Sequence, residues 1–381
     1  MTKAMIALVS DQRMQNVIPI LQAGVTYDEL ILVTSKDRRT GKPLPRYIEA
    51  ANDLKAVLES HLKVKLSAES VDPYDIEAVE STISTLIKQC GRDNVEVNIS
   101  GGTKPMAIGA LQAAQRAMVT SLYTNTEDRE ILWLSPDGST ETKPIQVVGL
   151  DVRLYIRAYG EEVIESRRVV DLSAAHKAWA ETIGDQHAAI YQKVILPVTS
   201  AIKVARKNKS GFPVTCRLLR PTRRQREVVE QLAQQGLWTW NELSRQIVVT
   251  DPLAASFLHG TWVEVYVAMR VQQSGFFDDV RLNVKLEGVE GEIDVAAVSN
   301  GKLVLIECKS NVQQSQQLSK LDSFRRRLGG PYAQAYYARA SEAYANRIRK
   351  QCQKFRLNGV FFGAELRDIG KEIGKNIGGI P

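Results

Sequence analysis

What most restricts the fold of this 381-residue chain is the alternation of short apolar runs with helical stripes through its first third. Ala4 to Val9 is a continuous apolar run too short for a helix, and Ser10-Asp11-Gln12 ends it, which predicts a buried strand and a turn. Val17, Ile18, Ile20 and Leu21 then fall at helical spacing before Gly24, and Glu29 to Thr34 reads as a second buried strand. A helix around Ile48 to Leu62 follows. Another is opened by Asp72-Pro73, with Ile76, Val79, Ile83, Leu86 and Ile87 on one face. Val95 to Ile99 is the next strand; Met106 to Met118 is a helix, Ser121-Leu122-Tyr123 begins a further strand, and Pro136-Asp137-Gly138 turns an edge hairpin after Trp133. Strands and helices in this order predict a doubly wound, Rossmann-like α/β sheet.

In such a sheet a ligand lies beyond the carboxyl ends of the strands, so the loops Ser10 to Arg13, Thr34 to Lys36 and Ser100 to Lys104 are expected to share one crevice. Ser100-Gly101-Gly102-Thr103-Lys104-Pro105 is the strongest of the three. Its glycines let backbone N–H groups approach an anion, the following helix contributes its positive end, and Lys104 adds charge. The loop matches neither GxGxxG nor GxxxxGK[ST], which disfavours a dinucleotide site or a P-loop.

The last third holds a different pattern. Leu253, Phe257, Leu258, Trp262, Val265 and Val267 form a strongly apolar helix that contains Glu264, a carboxylate that needs a partner if buried. Val280 to Leu286 reads as a strand, and Gly291-Glu292-Ile293-Asp294 leads into a hairpin turned by Asn300-Gly301, whose second strand carries Val304-Leu305-Ile306-Glu307-Cys308-Lys309. Glu307 and Lys309, two apart on a strand, leave the same face, while Cys308 points into the core. Asp294 and Glu307 side by side make a site for a hard cation, Mg²⁺ or Mn²⁺, and Lys309 is placed to stabilise an attacking hydroxide or charge developing on phosphorus. The bland alternative is a buried, salt-bridged Asp/Glu/Lys set. Leu318, Leu321, Phe324 and Leu328 then predict a helix stopped by Gly329-Gly330-Pro331, Tyr332 to Tyr337 a strand, Tyr344, Ile348 and Cys352 a helix, and Val360 to Phe362 a last strand. Arg325, Arg326 and Arg327 are a candidate phosphate track.

The length exceeds what one core usually holds. The expected division is 1–150, a sensor domain; 151–250, a linker and small helical connector; and 251–381, the domain with the acidic hairpin. Within the connector, Thr222 caps a helix bearing Arg223, Arg224 and Arg226, and Trp240 to Leu243 is expected to start another helical turn, either a winged-helix-like module or, as the preferred reading, a packing connector with a solvated basic face. The formal charge of +7 suits a polyanionic partner. Cys90, Cys216, Cys308 and Cys352 lack CxxC spacing, which disfavours structural zinc or a disulfide framework. No apolar run is long enough to span a bilayer and no secretory pattern follows Met1, so a cytoplasmic protein is expected.

Gly291-Glu292-Ile293-Asp294 followed by Leu305-Ile306-Glu307-Cys308-Lys309 resembles the core of the PD-(D/E)xK nuclease superfamily, with Ile-Asp in place of Pro-Asp. The resemblance implies a restriction-endonuclease-like domain in which Asp294 and Glu307 bind metal, the Cys308 carbonyl assists, Lys309 is catalytic and Glu264 is an accessory ligand. The N-terminal section, with Leu8-Val9-Ser10 and Ile99 to Lys104, resembles the CARF sensors of cyclic oligoadenylates. By that resemblance Ser10, Gln12, Thr34, Ser35, Gly101, Gly102, Thr103 and Lys104 would hold the ligand. Together the two imply a CARF nuclease of type III CRISPR defence, a homodimer activated by cyclic tetra-adenylate that cleaves DNA or RNA. The competing reading is a non-catalytic, nucleotide-responsive transcription regulator that holds DNA through the Arg223 to Arg226 module.

Overall fold

The computed structural model describes residues 3–67, 70–209, 211–310, 315–330 and 333–378, and the chain divides into two compact units. The first comprises Met1–Val163 together with Val298–Leu303 and Arg326–Ala333. Its strands are β1 (Ala4–Leu8), β2 (Glu29–Val33), β3 (Lys63–Leu66), β4 (Val95–Asn98), β5 (Ser121–Asn125), β6 (Glu130–Leu134) and β7 (Thr140–Pro144). They form one sheet in the order β3-β2-β1-β4-β5-β6-β7. The strands from β3 through β5 run parallel and the β6–β7 hairpin is antiparallel, so the Rossmann-like expectation holds.

β1 is buried along its whole length, as a central parallel strand covered on both faces must be. The helices Ile76–Cys90 and Lys104–Arg116 pack against it through Val79, Ile83, Ile87, Met106, Ala110 and Ala113. The Ile76–Cys90 helix is capped by Asp75, whose carboxylate accepts from the Ala78 N–H at 3.0 Å. Asp72, expected to be that cap, instead accepts from the Tyr74 N–H in the preceding turn. β3 was not foreseen, because a four-residue edge strand reading Lys-Val-Lys-Leu carries too little apolar signal.

The second unit comprises Ile164–Ala297, Val304–Arg325 and Gln334–Pro381. Its main sheet runs in the order β16-β15-β14-β13-β12-β8, where β8 is Val163–Arg168, β12 Asp279–Leu286, β13 Glu292–Ser299, β14 Lys302–Lys309, β15 Ala333–Arg339 and β16 Gly359–Phe362. β12 alternates half-buried and buried residues along its length, whereas β14 is buried on both faces until Glu307. The helix Trp262–Gln273 is buried nearly all round, through Trp262, Val263, Val265, Tyr266, Val267, Ala268, Met269 and Val271. Glu264 in its first turn is only partly buried, as is Arg270. Pro331 and Tyr332, expected at a helix stop and a strand start, lie outside the described residues.

The 164–250 segment shares one core with the acidic-hairpin domain: Trp179, Ile183, Val228, Leu232 and Ile247 join the same cluster as Trp262, Val295 and Ile306. Trp240 to Leu243 does not start a helix. Thr239–Asn241 is strand β10, paired antiparallel with β11 (Gln246–Val249), which pairs in turn with β9 (Val214–Arg217). Asn241 makes the turn, its side chain accepting from the Ser244 N–H at 3.0 Å, a local bond that offers the backbone an alternative to helix. Among the described residues no helix is long and apolar enough to cross a membrane.

Candidate active site

Four of the side chains singled out from sequence meet at the ends of β13 and β14. Lys309 Nζ lies 2.9 Å from Asp294 Oδ2 and 2.6 Å from Glu307 Oε1, so one ammonium bridges both carboxylates. Asp294 Oδ2 also accepts the Cys308 backbone N–H at 2.7 Å, which ties its carboxylate to the neighbouring strand. Cys308 therefore enters the site through its backbone; its thiol is buried, and burial first, then the carboxylates around it, push it well above the ordinary thiol range.

Glu264 approaches from the helix that follows a π-helical turn, Phe257–Thr261, and its Oε2 accepts from Asn283 Nδ2 at 3.0 Å. Asn283 sits in β12 with φ +51°, a left-handed conformation that Asn tolerates better than most residues. It was missed in the sequence, where one Asn in an alternating strand carries no signal. Ser310 was missed as well. Its carbonyl accepts from the Tyr191 hydroxyl, and its own hydroxyl donates to the His259 carbonyl at 2.8 Å. Tyr191 begins a second π-helical turn, so two irregular turns fix the backbone directly after Lys309.

The electrostatics follow from three carboxylates sharing one lysine in a half-closed site. Burial, then the charge of Asp294, pushes the Glu264 carboxyl up to about 7, with the Asn283 hydrogen bond and Lys309 pulling back. Burial and Asp294 also raise Glu307 to about 7, against Lys309 and Lys320. Burial alone would depress the Lys309 ammonium, but Asp294 and Glu307 outweigh it and hold the group above its usual range, so it stays protonated at neutral pH. Among the described residues no three His, Cys, Asp or Glu side chains close on one point tightly enough to hold a metal ion. The Lys309 ammonium stands between Asp294 and Glu307. The donor set nonetheless fits a hard divalent cation: carboxylate oxygens at the mouth of a core, with more negative charge than one lysine neutralises.

In the first unit β1 pairs in parallel with β2 and β4, so the loops after Leu8, Val33 and Asn98 leave the same edge of the sheet. Ser10 and Gln12 are partly exposed, and the Ser10 hydroxyl accepts the Gln12 N–H at 3.2 Å. Gly102 and Thr103 are partly exposed and Lys104 is exposed. Thr103 caps the Lys104–Arg116 helix, and its hydroxyl also donates to the Pro73 carbonyl. Gly101 is buried against β1: a Cβ there would stand 2.0 Å from the Leu8 carbonyl oxygen. Thr34 and Ser35 are buried, with hydroxyls engaged by Ser70 at 2.7 Å and by Met106 Sδ at 3.3 Å, so they shape the crevice more than they face it. Asn98, not foreseen, is the hub beneath the loop: its Nδ2 donates to the Gln15 carbonyl and to Asn16 Oδ1, and its Oδ1 accepts from the Ser100 N–H.

The basic clusters noted in the sequence are largely neutralised. Arg325 pairs with Asp322 and Arg327 with Glu161, while Arg223 and Arg224 both pair with Glu227.

Residues 4–155 match the family model described as the Card1 CARF domain, and residues 251–376 match the Card1-like endonuclease domain. Among solved structures, the chain superimposes on protein VC1899 from Vibrio cholerae with a TM-score of 0.79 at 19% identity, over 99% of each chain. Can2 from Sulfobacillus thermosulfidooxidans, solved in complex with cyclic tetra-adenylate, matches with a TM-score of 0.71 at 20% identity over 98% of this chain and 97% of that one. A type III CRISPR defence DNA nuclease activated by cyclic oligoadenylate matches with a TM-score of 0.53 at 15% identity, covering 89% of this chain and 45% of that chain. No curated protein matches the chain.

Proposed function

Because this chain belongs to the family that joins a Card1 CARF domain to a Card1-like endonuclease domain, we propose that it is a metal-dependent nuclease of type III CRISPR defence. In this reading it acts inside the cell as a homodimer, and cyclic tetra-adenylate switches it on to hydrolyse phosphodiester bonds of DNA or RNA. The observation that carries the catalytic part is the bridge from Asp294 through Lys309 to Glu307, with Glu264 beside it. Asp294, Glu307 and Glu264 would hold Mg²⁺ or Mn²⁺, and the Cys308 carbonyl would assist. The chemistry such a cation supplies when bound is acidification of a water molecule and polarisation of a phosphoryl oxygen. Lys309, protonated at neutral pH, donates hydrogen bonds to whatever negative charge develops beside it. Asn283 and the Cys308 N–H hold Glu264 and Asp294 in their orientations.

The regulatory part is supported by the relatives. Can2 binds cyclic tetra-adenylate in its solved structure, and the DNA nuclease is described as activated by cyclic oligoadenylate. Within the first unit, the tip of the β13–β14 hairpin is fastened to the sensor fold. The Val147 N–H donates to Asn300 Oδ1 at 3.3 Å, and Lys302 Nζ donates to the Glu127 carbonyl at 3.1 Å. The same two strands carry Asp294 and Glu307, so the chain runs directly from the residues held by Val147 and Glu127 to the acidic residues. The DNA-binding regulator is less well supported, since Arg223 and Arg224 are already paired with Glu227.

The direct test incubates the protein with labelled single- and double-stranded DNA and RNA in Mn²⁺. At least one substrate is expected to be cut, and inertness toward all four with activator present would overturn the reading. The metal assignment has its own readout. Glu264 and Glu307, raised to about 7, must lose protons to bind a cation. The apparent affinity for Mn²⁺, followed by calorimetry, is therefore expected to fall about 10- to 100-fold between pH 8 and pH 6. An affinity independent of pH would count against these two as ligands.

A further inference from the structure

Beside the acidic residues, the second unit holds a cleft of about 310 Å³ whose floor includes Glu264 and Lys309. One wall is the helix Leu196–Lys207, through Thr199, Ser200 and Lys203; the other is the π-helical turn, through His259. Lys203 is exposed and, among the described residues, pairs with no carboxylate. The Thr199 and Ser200 hydroxyls both donate back to the Leu196 carbonyl, at 2.9 and 2.7 Å, so Lys203 is the cation this wall offers to a ligand.

A second lysine stands by the site from another element. Lys320 lies on the helix Ser315–Arg327. Its ammonium fills the space over Gly291, where a Cβ would lie 1.5 Å from Nζ. Gly291 has φ +90° and opens the strand that carries Asp294, so a side chain there would be strained and would also displace the lysine. The Lys320 ammonium also lies 5.8 Å from the centre of the Phe324 ring.

An acidic catalytic floor repels a polyanion, and cations close to it offset that repulsion. We propose that Lys203 and Lys320 are phosphate-binding residues for the strand that enters the site. Lys203 holds a backbone phosphate at the cleft, and Lys320 holds a second one beside Gly291, where β13 begins. The substrate class this implies is a nucleic acid strand gripped by its backbone at two points. The size of the cleft is at the lower end of small-ligand pockets.

This inference rests on the nuclease reading, and the experiment separates the two. Binding of a labelled 12-mer oligonucleotide is measured in the inactive Glu307→Gln background, alongside cleavage by the otherwise intact protein. Lys203→Ala and Lys320→Ala are each expected to weaken binding and raise KM about tenfold, with kcat falling less than threefold. Each is also expected to reduce the slope of log binding constant against log salt by about one, as the loss of one phosphate contact requires. Lys203→Arg, which keeps the charge, should restore most of the affinity. If either Ala variant leaves both KM and the salt slope unchanged while wild-type protein cleaves, the phosphate-binding role of that lysine is wrong and the nuclease stands. If the wild type cleaves nothing but binds the 12-mer with the expected dependence on both lysines, the nuclease reading falls and the strand-binding site remains.

Discussion

Glu307→Gln is expected to lower cleavage by at least about 10³-fold while raising the thermal stability of the metal-free protein at pH 8. The expected loss of activity follows from the proposed role of Glu307 as a cation ligand, worth several kcal/mol of transition-state stabilisation at about 1.36 kcal/mol per factor of ten. The gain in stability follows from the sign of the pKa shift. Glu307 titrates near 7 in the folded chain against an ordinary value of 4.5, so the folded state holds this proton more tightly than the unfolded chain. Its contribution is therefore most favourable below the unfolded value and is lost as pH rises through about 7. At pH 8 the ionised group costs about 1–3 kcal/mol, which the neutral amide removes. A structural salt bridge predicts the opposite, a lower melting temperature with Lys309 left short of a partner. Melting curves in EDTA at pH 8, beside cleavage rates, distinguish the two.

Gly101→Ala is expected to abolish the response to cyclic tetra-adenylate and to destabilise the first unit. The added methyl would stand 2.0 Å from the Leu8 carbonyl oxygen, an encounter with backbone that no rotamer relieves. Either the loop or β1 must move, and overpacking of this kind costs about 1–3 kcal/mol. The same movement displaces the loop that carries Gly102, Thr103 and Lys104, so ligand affinity is expected to fall at least about 100-fold. Calorimetric titration of cyclic tetra-adenylate checks this. An unchanged affinity would place the ligand site elsewhere.

The fold was legible where burial leaves a periodic mark. β1, β2 and β4 are apolar because a parallel sheet covers both faces, and the Gly-Gly-Thr-Lys turn opens a helix where the spacing says it should. The edge strands β3 and β10 were not legible, since their residues are half exposed and pairing partners decide their conformation. Asp294, Glu307 and Lys309 could be placed together because strand geometry fixes which side chains share a face. Asn283 and Ser310 could not be found this way. They act through single hydrogen bonds across elements distant in sequence, and their residue types are common. The basic runs could not be weighed from the sequence for a related reason: a sequence shows arginines but not that Asp322, Glu161 and Glu227 lie against them.

Control of the acidic site by a nucleotide ligand can be followed in one time course. Cleavage of a labelled oligonucleotide is followed in Mn²⁺ with and without a saturating amount of cyclic tetra-adenylate. A rate at least about 100-fold higher with the ligand is the predicted result, and equal rates in its presence and absence would contradict it.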